Sequence, residues 1–348
     1  MRLLYTILAI FWTSLAIKTP VAQALEIKGI GATFPSPLYA KWAEAYKAET
    51  GQTLSYDAIG SGGGIKHIKA GGVTFGASDM PLPHDELEKS GLIQFPTVIG
   101  GLVPIINIPG VKSGELVFDG PTLAKIFLGE IKAWDDPAIK KLNAHIKLPS
   151  LPIVVVHRSD GSGTSFIWTD YLSKVSEDWK KKVGASTHVQ WPEGIGGQGN
   201  DGVAKNVIDL QGAVGYVEAA FAKRKHIPVT KLINKTGQIV FPNMKSFEAA
   251  ATNADWLNAD HFNVSLTNQP GAETWPVAGA TFILMQKKPI DVSQSKATLQ
   301  FFSWAYENGD KLAEELEYVP FPDFVVKHIK NSWATEFIWP DGKSLNLK

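Results

Sequence analysis

The chain has 348 residues, of which 44% are hydrophobic and 20% are charged, with 34 basic and 34 acidic residues and no cysteine. This composition is typical of a globular protein and excludes an intrinsically disordered or fibrous one. The balanced charge excludes nucleic acid as a partner, and the lack of cysteine excludes disulfides, thiolate catalysis, cysteine zinc sites and an acylated N-terminal cysteine. At about 100 to 200 residues per domain, the length allows two hydrophobic cores.

The first 24 residues have the three parts of a secretory signal peptide. Arg2 gives a basic start, an apolar stretch covers residues 3–17, and residues 22–24 form an Ala-x-Ala cleavage site. The stretch is too short for a membrane-spanning helix, which needs about 20 apolar residues. Removal of residues 1–24 takes away Arg2 and Lys18 and leaves 32 basic against 34 acidic residues. We therefore expect a soluble protein exported to the periplasm without a lipid anchor.

Short apolar runs alternate with helical patterns along the chain, which predicts an α/β fold. The first helix is predicted with Ser36 as its cap and Pro37 at its first position. Its apolar face consists of Leu38, Trp42, Ala45 and Tyr46. Strands are predicted at residues 54–59, 98–108, 153–156, 213–217 and 281–285.

Further helices are predicted near Ser162 and at residues 293–308 and 323–337, from apolar residues at 3.6-residue spacing. No flexible linker is visible, so two lobes must be joined by extended segments, for which residues 98–104 and 275–282 are the best candidates. The second lobe is then an insertion. The predicted organisation is a signal peptide at 1–24, a first lobe formed by 25–100 and 275–348, and a second lobe formed by 101–274.

Three short loops place small residues and a hydroxyl immediately before a helix. They are residues 31–34, 59–64 and 160–165. The free N–H groups and the positive dipole end of a helix N-terminus attract anions, and glycine lets an anion approach the backbone closely. Each hydroxyl can instead simply cap its helix. Three such loops in one chain indicate an anion site.

Arg158 lies at the end of the strand predicted at 153–156, just before the third loop. Its planar guanidinium suits a tetrahedral oxyanion, and Asp160 can hold that group in place. The alternative is an ordinary exposed ion pair with little energetic effect.

Asp79 is unusual beside an anion site, because a carboxylate repels an anion unless the ligand offers a proton. Phosphate keeps a proton near neutral pH, whereas sulfate does not, so an acceptor-only carboxylate binds phosphate and rejects sulfate. An Asx-turn or a helix cap is the alternative role for Asp79.

Other functional patterns are weak. Residues 194–199 match Gly-x-Gly-x-x-Gly but follow Trp191, Pro192 and Glu193 rather than an apolar strand, so we expect a flexible loop and not a dinucleotide site. The eight histidines include no pair at i, i+2 or i, i+4, which gives no metal-binding pattern. We expect no cofactor, no metal and no catalytic residue.

Six segments together resemble the family of periplasmic phosphate-binding proteins of the phosphate-specific ABC transporter, over essentially all of the mature chain. They are residues 29–35, 75–79, 94–101, 158–165, 199–202 and 215–218. The resemblance implies a two-lobed periplasmic binding protein fold, similar to type II, that closes on one phosphate in the cleft between the lobes. It also implies a protein that is monomeric when free and delivers phosphate to a membrane permease with two permease chains and an ATPase.

The resemblance further implies a set of phosphate-binding residues, in which Asp160 orients Arg158. The set is Thr33 (backbone and hydroxyl), Phe34 (backbone), Ser61, Asp79, Arg158, Ser162, Gly163 and Thr164. One departure is Gly62, where close relatives often carry a second serine. We expect this glycine to leave the Ser61 contact intact and to loosen the loop.

Two alternative functions remain open. A carrier of another tetrahedral oxyanion, sulfate or arsenate, needs the same donors. Asp79 is the only residue that argues against a sulfate carrier. A secreted phosphatase can use these donors with Asp79 as an acid or base, but the sequence shows neither a metal cluster nor an activated nucleophile.

Overall fold

A computed structural model describes residues 26–340 of the chain. The predicted signal peptide, residues 1–24, lies outside the described residues. Across residues 26–340, none of the helices combines the length and the apolar character needed to cross a membrane.

Strands and helices alternate through most of the described chain. The N-terminal elements are β1 (Glu26–Gly31), α1 (Ser36–Thr50), β2 (Thr53–Ala58), α2 (Ser61–Lys69), β3 (Phe75–Ser78), α3 (His84–Ser90) and β4 (Leu92–Ile106). The next elements are β5 (Val117–Phe118), α4 (Gly120–Phe127), α5 (Pro137–Leu142), β6 (Val154–Arg158), α6 (Gly163–Val175), α7 (Glu177–Lys182), β7 (Ile195–Gly197), α8 (Gly199–Asp209) and β8 (Ala213–Glu218).

The remaining elements complete a mixed α/β chain. They are α9 (Ala219–Arg224), β9 (Lys231–Ile233), β10 (Ile239–Val240), α10 (Met244–Thr252), a single 3-10 turn (Asp260–Phe262), β11 (Ala278–Gln286), α11 (Val292–Asn308), α12 (Asp310–Glu315) and α13 (Asp323–Glu336).

An eight-stranded sheet in the order β2-β1-β3-β11-β4-β8-β6-β7 runs through the molecule. Strand β4 is buried along its whole length and joins the two halves of this sheet. It pairs antiparallel with β11 from Leu92 to Gly101 and antiparallel with β8 from Leu102 to Ile106. The change of partner falls inside residues 98–104. Elsewhere β1 runs parallel to β2 and β3, and β6 runs parallel to β7 and β8.

All five predicted strands are present, and the largest difference concerns the one predicted at 98–108. It is the second part of the longer β4, whose first part contains Pro96. Proline lacks the N–H needed for a regular ladder, and here the register shifts between Thr281 and Phe282 of the partner strand, opposite Thr97. This bulge accommodates Pro96 in a strand interior, where the residue type alone argues against a strand.

Two predicted helix starts differ from the structure, by one residue for α1 and by four for α2. Ser36 is the first residue of α1 rather than its cap, and its hydroxyl donates to the Thr33 carbonyl at 2.9 Å. Helix α2 begins at Ser61, so Gly62, Gly63 and Gly64, which we predicted to precede it, lie in its first turn. Glycine is needed there because a Cβ on Gly64 would lie 2.5 Å from the Ala77 carbonyl oxygen of β3.

The prediction of a flexible loop at residues 194–199 is also wrong. Residues Ile195–Gly197 form β7, which pairs with β6, and α8 begins at Gly199. Gly194 has a φ of +106°, and a Cβ at this position would lie 2.4 Å from the Val155 carbonyl oxygen. Gly194 therefore allows close backbone packing against β6.

Candidate functional site

The residues predicted to bind an anion lie at the carboxyl ends of parallel strands. Thr33 follows β1, Asp79 follows β3 directly, and Arg158 is the last residue of β6. Ligand sites of open α/β sheets lie outside these strand ends. Strands from both halves of the sheet therefore deliver polar groups to one region.

The predicted residues are almost entirely withdrawn from solvent. The buried ones are Thr33, Phe34, Ser61, Asp79, Arg158, Ser162, Gly163 and Thr164, while Asp160 is half-buried. Buried polar side chains must be satisfied by partners, so their hydrogen bonds decide which atoms remain for a ligand.

The second and third glycine loops are in direct contact. The Gly62 N–H donates to the Gly161 carbonyl at 2.9 Å. A Cβ on Gly163 would lie 2.3 Å from Ser61 Oγ and 2.6 Å from Asp79 Cβ. The first turn of α6 thus packs against Ser61 and Asp79 with no room for a side chain. The contact also ties Gly62 to the opposite loop, where we expected a looser segment.

Asp79 has one carboxylate oxygen bound and one free. Its N–H donates to Ser61 Oγ at 3.1 Å, and Oδ1 accepts a hydrogen bond from the Thr281 hydroxyl at 2.7 Å. Oδ2 is buried and has no hydrogen-bond partner within residues 26–340. Burial raises the pKa of Asp79 to about 7, against the lowering effects of the Thr281 hydrogen bond and the Arg158 charge. This carboxyl can therefore hold or release a proton near neutral pH.

Arg158 is held by Asp160 in a two-pronged pair. Nε donates to Asp160 Oδ1 at 2.8 Å, and Nη2 donates to Oδ2. The Gly199 N–H adds a further bond to Oδ1 at 3.0 Å. Burial by itself raises the pKa of Asp160, but the hydrogen bonds and charge of Arg158 outweigh burial and lower that pKa below its ordinary value. Asp160 is therefore ionised at neutral pH and fixes the plane of the guanidinium. Nη1 donates to Thr164 Oγ1 at 3.3 Å.

Ser162 acts as the cap of α6. Its Oγ accepts a hydrogen bond from the Ser165 N–H at 3.0 Å, and its own N–H donates to the Thr187 carbonyl at 2.8 Å. The first hydrogen bond of the helix backbone runs from Phe166 to Ser162. The N–H groups of Gly163 and Thr164 precede it, so they belong to the unsatisfied donors at the positive end of the helix.

Asn200 was missed as an individual site residue, although residues 199–202 contributed to the family resemblance. It is fully buried and its Nδ2 donates to Thr33 Oγ1 at 2.8 Å and to Thr164 Oγ1 at 3.5 Å. Its Oδ1 accepts a hydrogen bond from the Glu218 N–H at 3.1 Å. Asn200 therefore connects the first and third predicted loops. Thr281, which binds Asp79 from β11, was missed because nothing in its strand distinguishes it.

A second buried acid lies next to the Phe34 loop. The Glu218 carboxylate accepts the Ala220 N–H at 3.0 Å, and Oε2 lies 2.8 Å from the Tyr318 hydroxyl. The same hydroxyl donates to the Phe34 carbonyl at 2.6 Å. Burial raises the pKa of Glu218 to about 8, against the lowering effects of both hydrogen bonds. A single hydroxyl proton serves one acceptor, so a protonated Glu218 that donates to Tyr318 satisfies all three groups.

Comparison with known proteins places the chain in a family. Residues 18–308 match a family model described as PBP superfamily domain. The phosphate-binding protein PstS of Xylella fastidiosa strain Temecula1 is 51% identical over 315 residues, which cover 90% of this chain and 86% of the relative. The phosphate-binding protein PstS of Pasteurella multocida is 49% identical over 339 residues, which cover 97% of this chain and 98% of the relative.

Solved structures agree on the fold. A periplasmic phosphate-binding protein, PfluDING, superimposes with a TM-score of 0.71 at 20% identity, covering 91% of this chain and 97% of its own. A phosphate-binding protein from Stenotrophomonas maltophilia gives a TM-score of 0.66 at 20% identity, covering 92% and 97%. At this identity the likeness shows the fold alone, and it confirms the predicted α/β, two-lobed binding-protein fold. The chain belongs to the PBP superfamily and, within it, to the family of the phosphate-binding proteins PstS.

Proposed function

We propose that the protein is an extracytoplasmic solute-binding protein that captures inorganic phosphate and delivers it to the permease of an ABC-type phosphate importer. The observation that supports this most strongly is Asp79, whose Oδ2 is buried and free of hydrogen bonds within the described residues, near the Arg158 charge and against the first turn of α6. Family membership supports the same ligand, because both compared relatives are phosphate-binding proteins.

We infer the ligand contacts from the N–H and O–H donors that are not used in hydrogen bonds within the described residues. Arg158 provides the full positive charge, and the first N–H groups of α6, at Gly163 and Thr164, add neutral donors at the positive helix end. The hydroxyls of Ser61 and Ser162 accept one hydrogen bond each from the backbone, so their own protons remain for an oxyanion. The Thr33 hydroxyl and the backbone at Thr33 and Phe34 complete the proposed set.

Asp79 gives the set its ligand selectivity. In complex with phosphate, the carboxyl and the ligand share one proton between Oδ2 and a phosphate oxygen. Fully ionised sulfate brings no proton, so it meets a carboxylate unfavourably unless Asp79 is itself protonated. With burial raising its pKa to about 7 where the loops of the site are in contact, Asp79 rejects sulfate well above neutral pH and less well below it.

Closure of two lobes is part of the proposal. The first lobe consists of residues 25–100 and 275–348, and the second of residues 101–274. Thr33, Ser61 and Asp79 then lie on the first lobe, and the Arg158 loop lies on the second. Phosphate stabilises the closed form because only that form offers donors from both lobes to one ligand.

The proposed location is the periplasm, reached through the signal peptide at residues 1–24. The proposed partners are the two permease chains and the ATPase of the importer, with a monomer as the free form. A sulfate or arsenate carrier and a secreted phosphatase are the alternatives, and Asp79 weighs against sulfate.

Calorimetric titration of the mature protein with phosphate, sulfate and arsenate between pH 6 and pH 9 tests the ligand and the proton rule together. We expect one phosphate per chain at every pH, and sulfate binding that strengthens as the pH falls through about 7. Equal affinity for sulfate and phosphate at pH 9 would contradict the proposal. Incubation with a phosphate ester, with free phosphate as the readout, separates the carrier from a phosphatase.

A further inference from the structure

Two histidines and an aspartate meet in a cluster formed by residues that the proposed phosphate site does not use. His84 begins α3, while Asp260 and His261 lie in the 3-10 turn, 176 and 177 residues further along the chain. His84 Nδ1 lies 3.5 Å from Asp260 Oδ2, and His261 Nε2 lies 3.6 Å from Asp260 Oδ1. The centres of the two imidazole rings are 4.7 Å apart.

We propose that His84, Asp260 and His261 bind a divalent transition-metal ion, and that zinc fits best. Imidazole nitrogens with one carboxylate oxygen are typical zinc ligands, whereas Mg²⁺ and Ca²⁺ need oxygen ligands throughout. Tetrahedral ligands at about 2.0 to 2.1 Å from zinc lie roughly 3.3 Å from each other. The two histidine-to-aspartate distances are close to that value.

The remaining separation can close without a change of fold. The ligand atoms of all three side chains lie within 4.8 Å of one another. The side chains of His84 and Asp260 are 48% and 69% exposed, so both can rotate toward a metal while His261 stays in place. The exposed side leaves space for water as a fourth ligand.

A carboxylate behind His261 provides independent support. Glu336 Oε2 of α13 lies 3.3 Å from Nδ1 of His261, on the other side of the ring from Asp260. Nδ1 is buried and makes no well-aligned hydrogen bond within residues 26–340, so Glu336 is placed to accept its proton after a small rotation of the ring. Histidines that bind metals usually give their second N–H to a carboxylate, which fixes the tautomer and the ring orientation. With the proton on Nδ1, the lone pair on Nε2 is available for the metal.

The backbone at the turn is also firmly placed. His261 has a left-handed conformation, with φ of 46°, and its carbonyl accepts a hydrogen bond from Gln94 Nε2 of β4 at 2.7 Å. Phe262, the next residue, is buried. A bound metal would therefore join α3 to a turn anchored on β4 and, through Glu336, to α13. The histidine spacing shows no metal-binding pattern because the ligands come from separate segments.

Titration of the chelator-treated mature protein with Zn²⁺ in phosphate-free buffer tests this assignment. We expect one zinc per chain and a rise in thermal stability with zinc, and Co²⁺ in place of zinc should give the visible spectrum of a tetrahedral site. His84→Ala should weaken zinc binding at least tenfold. Glu336→Gln, which keeps all three ligands, should weaken it about 10- to 100-fold.

Three variants make the test decisive. His261→Asn removes the imidazole while asparagine tolerates the left-handed backbone, so loss of binding in this variant is not loss of fold. His188→Ala, at an exposed histidine elsewhere, should bind zinc as the wild type does. His84→Ala should bind phosphate normally. A wild type without one-to-one zinc binding, or a His84→Ala/His261→Asn variant that binds zinc as tightly as the wild type, would overturn the proposal.

Discussion

Asp79 and Glu218 are two buried acids that differ in whether protein groups occupy both of their carboxylate oxygens. Burial raises both pKa values, to about 7 and about 8. The Glu218 carboxyl is shared between the Ala220 N–H and the Tyr318 hydroxyl, so protein groups satisfy it. Asp79 binds Thr281 through one oxygen and leaves the other buried without a partner within the described residues.

The difference shows that a raised pKa does not by itself mark a binding residue. Glu218 completes a bond between the end of β8 and the Phe34 loop through Tyr318, which is a structural task. Asp79 presents its free oxygen beside Arg158 and the start of α6, which is a task that needs a ligand. Four predictions test the binding role of Asp79 and its neighbours against the structural role of Glu218, in order of decreasing effect.

Arg158→Ala should give the largest loss, because it removes the positive charge that faces the Asp79 side of the site. Phosphate binding should weaken by ~2 to 4 kcal/mol, since a charge-assisted contact is lost and Asp160 is left as a half-buried charge without its partner. Arg158→Lys should recover only part of the affinity, because an ammonium lacks the two-pronged geometry. Calorimetry measures both. Unchanged affinity in Asp160→Asn would show that Asp160 does not orient Arg158.

Gly163→Ala should be next in size, because the added Cβ would meet Ser61 and Asp79 at the contact between the loops. Overpacking of this kind costs about 1 to 3 kcal/mol, and here the cost falls on the closed form that binds phosphate. Phosphate affinity should fall while the thermal stability of the ligand-free protein changes little. Gly72→Ala is the matched control, since its Cβ would lie 3.9 Å from the nearest atom. Equal affinity of the two variants would argue against a tight contact at Gly163.

Asp79→Asn and Glu218→Gln should separate the two acids directly. The amide introduced by Asp79→Asn can turn either N–H or C=O toward a ligand, so discrimination between phosphate and sulfate should fall by one or two powers of ten, given ~1 to 3 kcal/mol for an unpaired buried polar group. Phosphate binding itself should weaken less. Glu218→Gln should leave the selectivity unchanged. Parallel titrations at pH 8 measure both, and a loss of selectivity in Glu218→Gln would show that the two acids do not differ in this respect.

Part of this site follows from local sequence and part does not. Arg158, Asp160 and the Ser162 loop all lie within residues 158–165, so a strand running into a helix start predicts their proximity. Thr281 and Asp79 are 202 residues apart, and Asn200 and Thr33 are 167 apart. These contacts exist because β11 lies between β3 and β4 and because α8 begins beside Asp160. Sheet order of this kind arises from packing of the whole chain, which no local spacing records.

The smallest expected effect also concerns Glu218, and it is an effect on stability rather than on binding. Its pKa rises from an ordinary value of 4.5 to about 8 in the folded protein. Between these values the folded protein holds a proton that the unfolded chain has released, so the free energy of unfolding falls as the pH rises. The fall levels off above pH 8, where the carboxyl is ionised in both states.

Glu218→Gln should remove this contribution, because the amide donates to the Tyr318 oxygen and accepts from the Ala220 N–H as the protonated acid does. Urea unfolding of both proteins without phosphate, at pH 6 and pH 8, isolates the effect, since Asp79 titrates in both and cancels in the difference. Relative to the variant, the wild type should lose roughly 2 kcal/mol of unfolding free energy between pH 6 and pH 8. A constant difference would mean that Glu218 is already ionised in the folded protein at pH 6. The single proton of the Tyr318 hydroxyl would then have to be shared between a charged carboxylate and the Phe34 carbonyl. The fully satisfied set of hydrogen bonds that distinguishes Glu218 from Asp79 would not exist.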